Sequence, residues 1–108
     1  MPRTFYRIVK DAEPMLYDFL SHHARGWQPR RSDPATLRRW RGVSAYTTEQ
    51  QARTTARRFP RIGQFIARLE IPDDVALRVE GPDEYGHCAL YAEPDDLLAW
   101  VVGQPVPV

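Results

Sequence analysis

The chain of 108 residues contains one cysteine, Cys88, and one lysine, Lys10. A single thiol excludes an internal disulfide and a cysteine-built metal site, and makes a reducing cytoplasm the expected compartment. The longest unbroken apolar run is Leu97–Val102. A spanning helix needs roughly 20 such residues, so no membrane partner is expected. The opening MPRTFYRIVK has no apolar core ahead of a small-residue cleavage site, and export by that route is not expected. Walker loops, GxGxxG and GxSxG are all missing, as are repeats and low-complexity tracts. The adjacent pair His22 and His23 would point to different sides of a helix and cannot chelate one ion in the i, i+4 manner. A Cys–His couple from Cys88 and His87 fails similarly, because neighbours on a strand point apart.

What is present fits one globular domain spanning residues 1–108. Apolar residues make up 43% and charged residues 27%, which is ordinary for a packed domain. Ten prolines and six glycines imply many short elements. The net charge of +1 hides a division. Residues 1–68 carry Lys10 and thirteen arginines against five acids, giving +9, while residues 69–108 carry Arg78 against nine acids, giving −8. Either the two segments pair their charges across a surface, or a basic face meets an anion. Arginine, which supplies nearly all the positive charge, suits bidentate contact with phosphate or carboxylate.

Periodicity predicts an α+β fold of about five strands, mainly antiparallel, with two main helices. Thr4–Val9 reads as the first strand. Pro14 opens a helix to about His23 with Met15, Phe19 and His22 on one stripe. Residues 26–36 read as a loop, Pro34–Trp40 as a short helical turn, and Val43–Tyr46 as a strand. Thr47 with Gln50 forms a capping-box pattern for a helix to about Arg58, whose buried face takes Ala52, Ala56 and Phe59. Gln64–Ile71 and Val75–Glu80 read as a hairpin turning at Pro72-Asp73-Asp74. His87–Ala92 is a further strand, Pro94 starts a helical turn, and Leu97–Val102 packs as strand or helix. The tail GQPVPV frays or runs along a sheet edge, and a free apolar edge there allows a homodimer beside a monomer.

Strand alternation isolates the polar candidates. Phe5, Arg7 and Val9 share a face, so Arg7 is a charge between two apolar side chains. Such a charge needs an anion or a carboxylate, with Glu80 and Asp83 the protein's own alternatives. Ser44 and Tyr46 share a face, as do His87, Ala89 and Tyr91. If these faces border one cleft, it holds Arg7, Ser44, Tyr46 and His87. The helix start at Thr47-Thr48 adds free N–H groups that favour an anion.

The first strand "FYRIV" and the later "RGVSAYTTEQQARTTAR" together resemble the NAD-binding core of the ADP-ribosyltransferase-like superfamily, and within it the small RES-type toxin domains. Those proteins place an arginine or histidine on the first strand, a Ser/Thr-plus-aromatic strand leading into a helix, and a third polar residue on a later strand. The resemblance implies NAD as cofactor. Arg7 would hold its phosphate or the nicotinamide-side ribose, and Ser44 would stand on the strand supporting that ribose, with Thr47 beside it. Tyr46 would stack on the nicotinamide ring, and His87, or Glu84 in the loop before it, would take the third position. Arg7, Tyr46 and His87 are thereby the catalytic candidates. Many active members have a glutamate where "GHCALYA" offers histidine. The implied activity is transfer of ADP-ribose to an RNA or protein target, or breakdown of NAD.

The residues also support two readings without catalysis. Eleven arginines against two acids over residues 25–68, with Trp27 and Trp40 interleaved, suit single-stranded nucleic acid or RNA. The acids of the second half, among them Asp73, Asp74 and Asp95, suit a basic protein partner.

Overall fold

The computed structural model describes residues 3–27 and 33–108. Arg30 and Arg31 of the expected arginine-rich loop lie outside these. The described chain is α+β, with one six-stranded, wholly antiparallel sheet and three helices. The strands are β1 (Arg3–Val9), β2 (Val43–Tyr46), β3 (Phe65–Ile71), β4 (Arg78–Glu80), β5 (His87–Tyr91) and β6 (Val101–Pro107). The helices are α1 (Pro34–Trp40), α2 (Glu49–Arg58) and α3 (Pro94–Ala99). The order across the sheet is β4-β5-β2-β1-β3-β6. No helix among the described residues is long and apolar enough to cross a membrane.

Alternation along the strands sorts side chains onto two faces. One face buries Phe5, Val9, Val43, Leu69, Ile71 and Leu90, and Phe19 and Leu97 close over it from the segment after β1 and from α3. The other buries Ile8, Tyr46 and Ile66 against Ala52 and Ala56 of α2. Two alanines one turn apart bring α2 close to the strands, so β2 passes into the helix with little slack. Proline sits in β6 at positions 105 and 107, at the sheet edge where the missing N–H costs no ladder bond.

The joint between β1 and β2 is the weak seam. β1 and β3 are in register over seven pairs, Arg3↔Ile71 to Val9↔Phe65, and β2 and β5 over four. β1 and β2 share one pair, Tyr6↔Tyr46. The sheet is therefore two three-stranded halves joined at that point, and the halves part beyond it.

Several expected elements form otherwise. Residues 14–23 make one turn of 3-10 helix, Leu16–Phe19, instead of a helix. The Asp18 carboxylate accepts from the backbone N–H of Met15 at 2.8 Å and of Lys10 at 3.1 Å. That fastening ties the turn back to the end of β1, and Leu20 leaves it in an extended conformation. Met15 is 66% exposed while Phe19 is fully buried, so the expected stripe does not exist. Thr48, not Thr47, caps α2, its hydroxyl accepting from Gln51 N–H at 3.1 Å. Phe59 lies past the helix and is 51% exposed. The expected β3–β4 hairpin is absent: the chain turns at Pro72, but β4 crosses to the far edge and pairs with β5. The place beside β3 goes to β6, which continues from α3 through the tail.

Phe19 and Met15 separate the two accounts of this segment. Phe19→Ala should cost about 3–5 kcal/mol in denaturant unfolding, whereas Met15→Ala should change stability by under about 0.5 kcal/mol. Equal losses would restore the helical stripe.

Candidate functional site

The parted seam between β1 and β2 receives the Arg7 side chain. Its Nη1 donates to the Ser44 carbonyl at 2.6 Å, and its Nε donates to the Asp18 carbonyl at 3.0 Å. The first bond stands in for a ladder bond that β1 no longer makes to β2. Both acceptors are neutral. Among the described residues no carboxylate forms an ion pair with Arg7. Glu80 is held by Arg38 and Arg78, and Asp83 accepts from the backbone N–H groups of Tyr85 and His87. Burial, and then the charge of Arg25, lower the Arg7 pKa from the usual guanidinium range to about 10, against smaller opposing effects of Asp18 and Tyr46. Arg7 stays cationic at neutral pH, and its charge is poorly compensated.

β2 and β5 hold the other candidates on the opposite face of the sheet. Tyr6, not Arg7, stands level with Tyr46, so the expected common face does not include Arg7. Arg7 reaches the group by passing through the seam to the Ser44 carbonyl. Tyr46 lies directly opposite His87 in the ladder. Their rings meet edge to face, with centroids 5.5 Å apart. His87 Nε2 and Ser44 Oγ are 2.9 Å apart in a hydrogen bond. Burial lowers the His87 pKa from 6.5, so the ring is neutral at pH 7, with Asp83 opposing and Arg39 and Arg7 adding to the shift. Burial raises the Tyr46 pKa, keeping the phenol protonated. Arg7, Ser44, Tyr46 and His87 thus form one connected group through the Ser44 carbonyl, the Ser44 hydroxyl and the ring contact.

Thr47 stands apart from this group. Its N–H donates to the Gly86 carbonyl at 3.0 Å, and its hydroxyl donates to Gln51 Oε1 at 2.9 Å. Its donors are therefore occupied within the fold. Gly86 allows that closure: its φ is +74, and a Cβ there would run into the Gln51 side chain.

Two cavities flank Tyr46. The first, about 320 Å³, is lined by Arg7, Ser44 and Tyr46 together with Lys10, Arg25 and Arg61. Asp18 is its one carboxylate, and both Asp18 oxygens already accept backbone N–H groups. The second, about 530 Å³, lies between α2 and the loop before β5. It is lined by Tyr46, His87, Phe59, Tyr85, Asp83 and Glu84 among others. Tyr46 is the wall common to both.

Sequence reasoning passed over the outer wall of the first cavity. There the His22 ring packs 4.4 Å from Trp40 and 5.0 Å from Trp27 between centroids. Trp40 Nε1 donates to the Trp27 carbonyl at 2.7 Å, tying α1 to this wall. His22 Nδ1 and Arg25 Nε are buried without hydrogen-bond partners. Burial lowers the His22 pKa, and the charges of Arg7 and Arg25 lower it further. Trp27 and Trp40 were legible as aromatics among arginines; Asp18 as the organiser of the turn carried no signal in the spacing.

No protein-family model matches this chain, and no curated protein or solved structure is significantly similar to it.

The half-buried imidazoles of His22 and His87 set a pH dependence. The unfolded chain titrates them near 6.5 and the folded chain below it. The unfolded state therefore binds more protons once pH falls below about 6.5. Their stabilising effect is complete above that value and is lost as pH falls toward the folded pKa. Denaturant midpoints should drop between about pH 7.5 and about 5.5, and His87→Gln should flatten part of that drop. An unaltered slope in the variant would contradict the burial of a neutral His87.

Proposed function

We propose that this chain binds NAD at the seam between β1 and β2 and acts as an ADP-ribosyltransferase-like protein, transferring ADP-ribose to a macromolecule or degrading NAD. The observation that carries the reading is Arg7: a half-buried guanidinium between two strands, bonded to carbonyls and lacking a carboxylate, beside Ser44, Tyr46 and His87. A partly desolvated cation without an anion carries a cost, and a ligand phosphate is a group that removes it.

The residues fit the dinucleotide. The first cavity falls within the usual range for a small-molecule site, roughly 300–1,000 Å³, and its lining is cationic and aromatic. Arg7 is the phosphate ligand, with Lys10, Arg25 and Arg61 available to the second phosphate. Tyr46 takes the nicotinamide ring, whose positive charge favours an aromatic neighbour. Ser44 lines this cavity and His87 the adjoining one, and their mutual hydrogen bond leaves the Ser44 hydroxyl between the imidazole and a ribose hydroxyl. Bound NAD supplies a ribosyl carbon whose bond to the positively charged ring is already weakened. The chain's part is to hold that end still, exclude water along Tyr46 and oppose positive charge as it develops. Glu84 and Asp83 are the carboxylates lining the adjoining cavity. Glu84 is the better source of that negative charge, because Asp83 Oδ1 already accepts two backbone N–H groups.

Calorimetric titration with NAD should give saturable binding at millimolar concentration or tighter. Arg7→Lys keeps the charge but loses the planar fork, and should weaken binding by about tenfold or more. Nicotinamide release should disappear in Arg7→Ala and Tyr46→Ala. Folded wild-type protein that gives no heat with millimolar NAD removes the reading.

A further inference from the structure

Five cations without an ion pair among the described residues, Arg7, Lys10, Arg25, Arg58 and Arg61, line the two cavities that flank Tyr46. Ion pairs among the described residues engage Arg38, Arg53, Arg68 and Arg78. Lys10, Arg25 and Arg61 at the first cavity and Arg58 at the second take part in none. Lys10 donates to the Arg61 carbonyl and Arg25 to the Tyr17 carbonyl, which positions the cations without neutralising them. The division of charge read from the sequence is thus only partly resolved by pairing. Among the described residues Arg3, Arg39, Arg41 and Arg57 are also without ion pairs elsewhere, but only at the cleft do such cations stand together around cavities.

Exposed aromatic rings are interleaved with these cations. Tyr17 is 53% exposed, Trp27 48%, Phe59 51% and Tyr85 66%. The Arg25 guanidinium lies 4.5 Å from the Tyr17 ring centre and 5.1 Å from that of Trp27, and Arg58 lies 5.4 Å from that of Phe59. Large rings left in water beside unpaired guanidinium groups are the components of a surface that stacks bases and tracks a phosphate backbone. A duplex would leave the rings idle, since its bases are already stacked. An acidic polypeptide would engage the cations but offer the rings no flat partner.

We propose that the rim of this cleft binds a single-stranded nucleic acid, with phosphates on Lys10, Arg25, Arg58 and Arg61 and bases stacked on Trp27, Phe59 and Tyr85. The second cavity then receives one base. Tyr85 and Phe59 supply apolar surface there, and Gln51, Asp83 and Glu84 supply polar groups for its edge. This rests on the NAD reading only in making the strand the acceptor presented to Tyr46 and His87; the binding itself does not need NAD.

The test uses fluorescein-labelled single strands of about 12 nucleotides, one RNA and one DNA of the same sequence, followed by anisotropy. Four phosphate contacts predict an affinity that falls about 50-fold between about 50 and about 200 mM salt. Arg58→Glu should weaken binding about tenfold or more, and Tyr85→Ala about fivefold or more, with circular dichroism unchanged. Both sites are exposed, so neither variant threatens the core. Preference for RNA or DNA identifies the strand and supports the inference either way. No binding at low salt, equal binding of the matching duplex, or equal binding of polyglutamate overturns it. Titration of the same sample with NAD separates the two readings. Strand binding without NAD binding removes only the earlier one, and NAD binding without strand binding removes only this one.

Discussion

An arginine held between two halves of a sheet is the constraint on which the rest depends. Arg7 enters the one place where β1 and β2 stop pairing, and the carbonyl of Ser44 takes its Nη1 in place of a ladder partner. Were β1 and β2 in register along their length, the sheet would be continuous and the Arg7 side chain would have no seam to enter. The parting exposes polar backbone, and Arg7 satisfies part of it. In doing so it brings a positive charge where burial disfavours one. The guanidinium is thus partly desolvated and bonded only to neutral carbonyls.

The surroundings leave Arg7 without an ion pair among the described residues. The nearest carboxylate, Asp18, accepts two backbone N–H groups and organises the turn that closes the first cavity. Arg25, Lys10 and Arg61 add charge of the same sign to one wall. Asp83, on the other side of Tyr46, is engaged by its own loop. Compensation by Glu80 was open to the sequence, but Arg38 and Arg78 occupy that side chain at the opposite sheet edge. Carboxylates are thus present near the cleft and engaged by other groups, so none is paired with Arg7 among the described residues.

Strand alternation made Ser44, Tyr46 and His87 legible as one face, but it sets Arg7 on the opposite face, and only the seam between β1 and β2 brings its guanidinium to Ser44. Residues at i and i+2 share a face whatever the topology, so Ser44 with Tyr46, and His87 opposite Cys88, followed from short runs alone. The apolar core followed for the same reason. What alternation cannot supply is which strands are neighbours. The hairpin predicted for Gln64–Ile71 and Val75–Glu80 has the right turn and the wrong partner, because a local turn signal does not fix where the chain goes next. The helix predicted from Pro14 failed because a single carboxylate, Asp18, captures N–H groups from two places and stops the segment after one turn. The offset of the α2 cap from Thr47 to Thr48 has a similar origin: with two adjacent hydroxyl residues, the strand end at Gly86 decides which one is free to cap.

The central claim is that Arg7 is an anion-binding group rather than a structural strut. Its Nε–H resonance, followed by nitrogen-15 NMR during titration with ADP-ribose, tests this most directly. The account predicts a saturable shift of that resonance, accompanied by shifts at Tyr46 and His87. A resonance that stays in place at millimolar ligand, in a protein whose spectrum is otherwise folded, would make Arg7 a fastening between strands and nothing more.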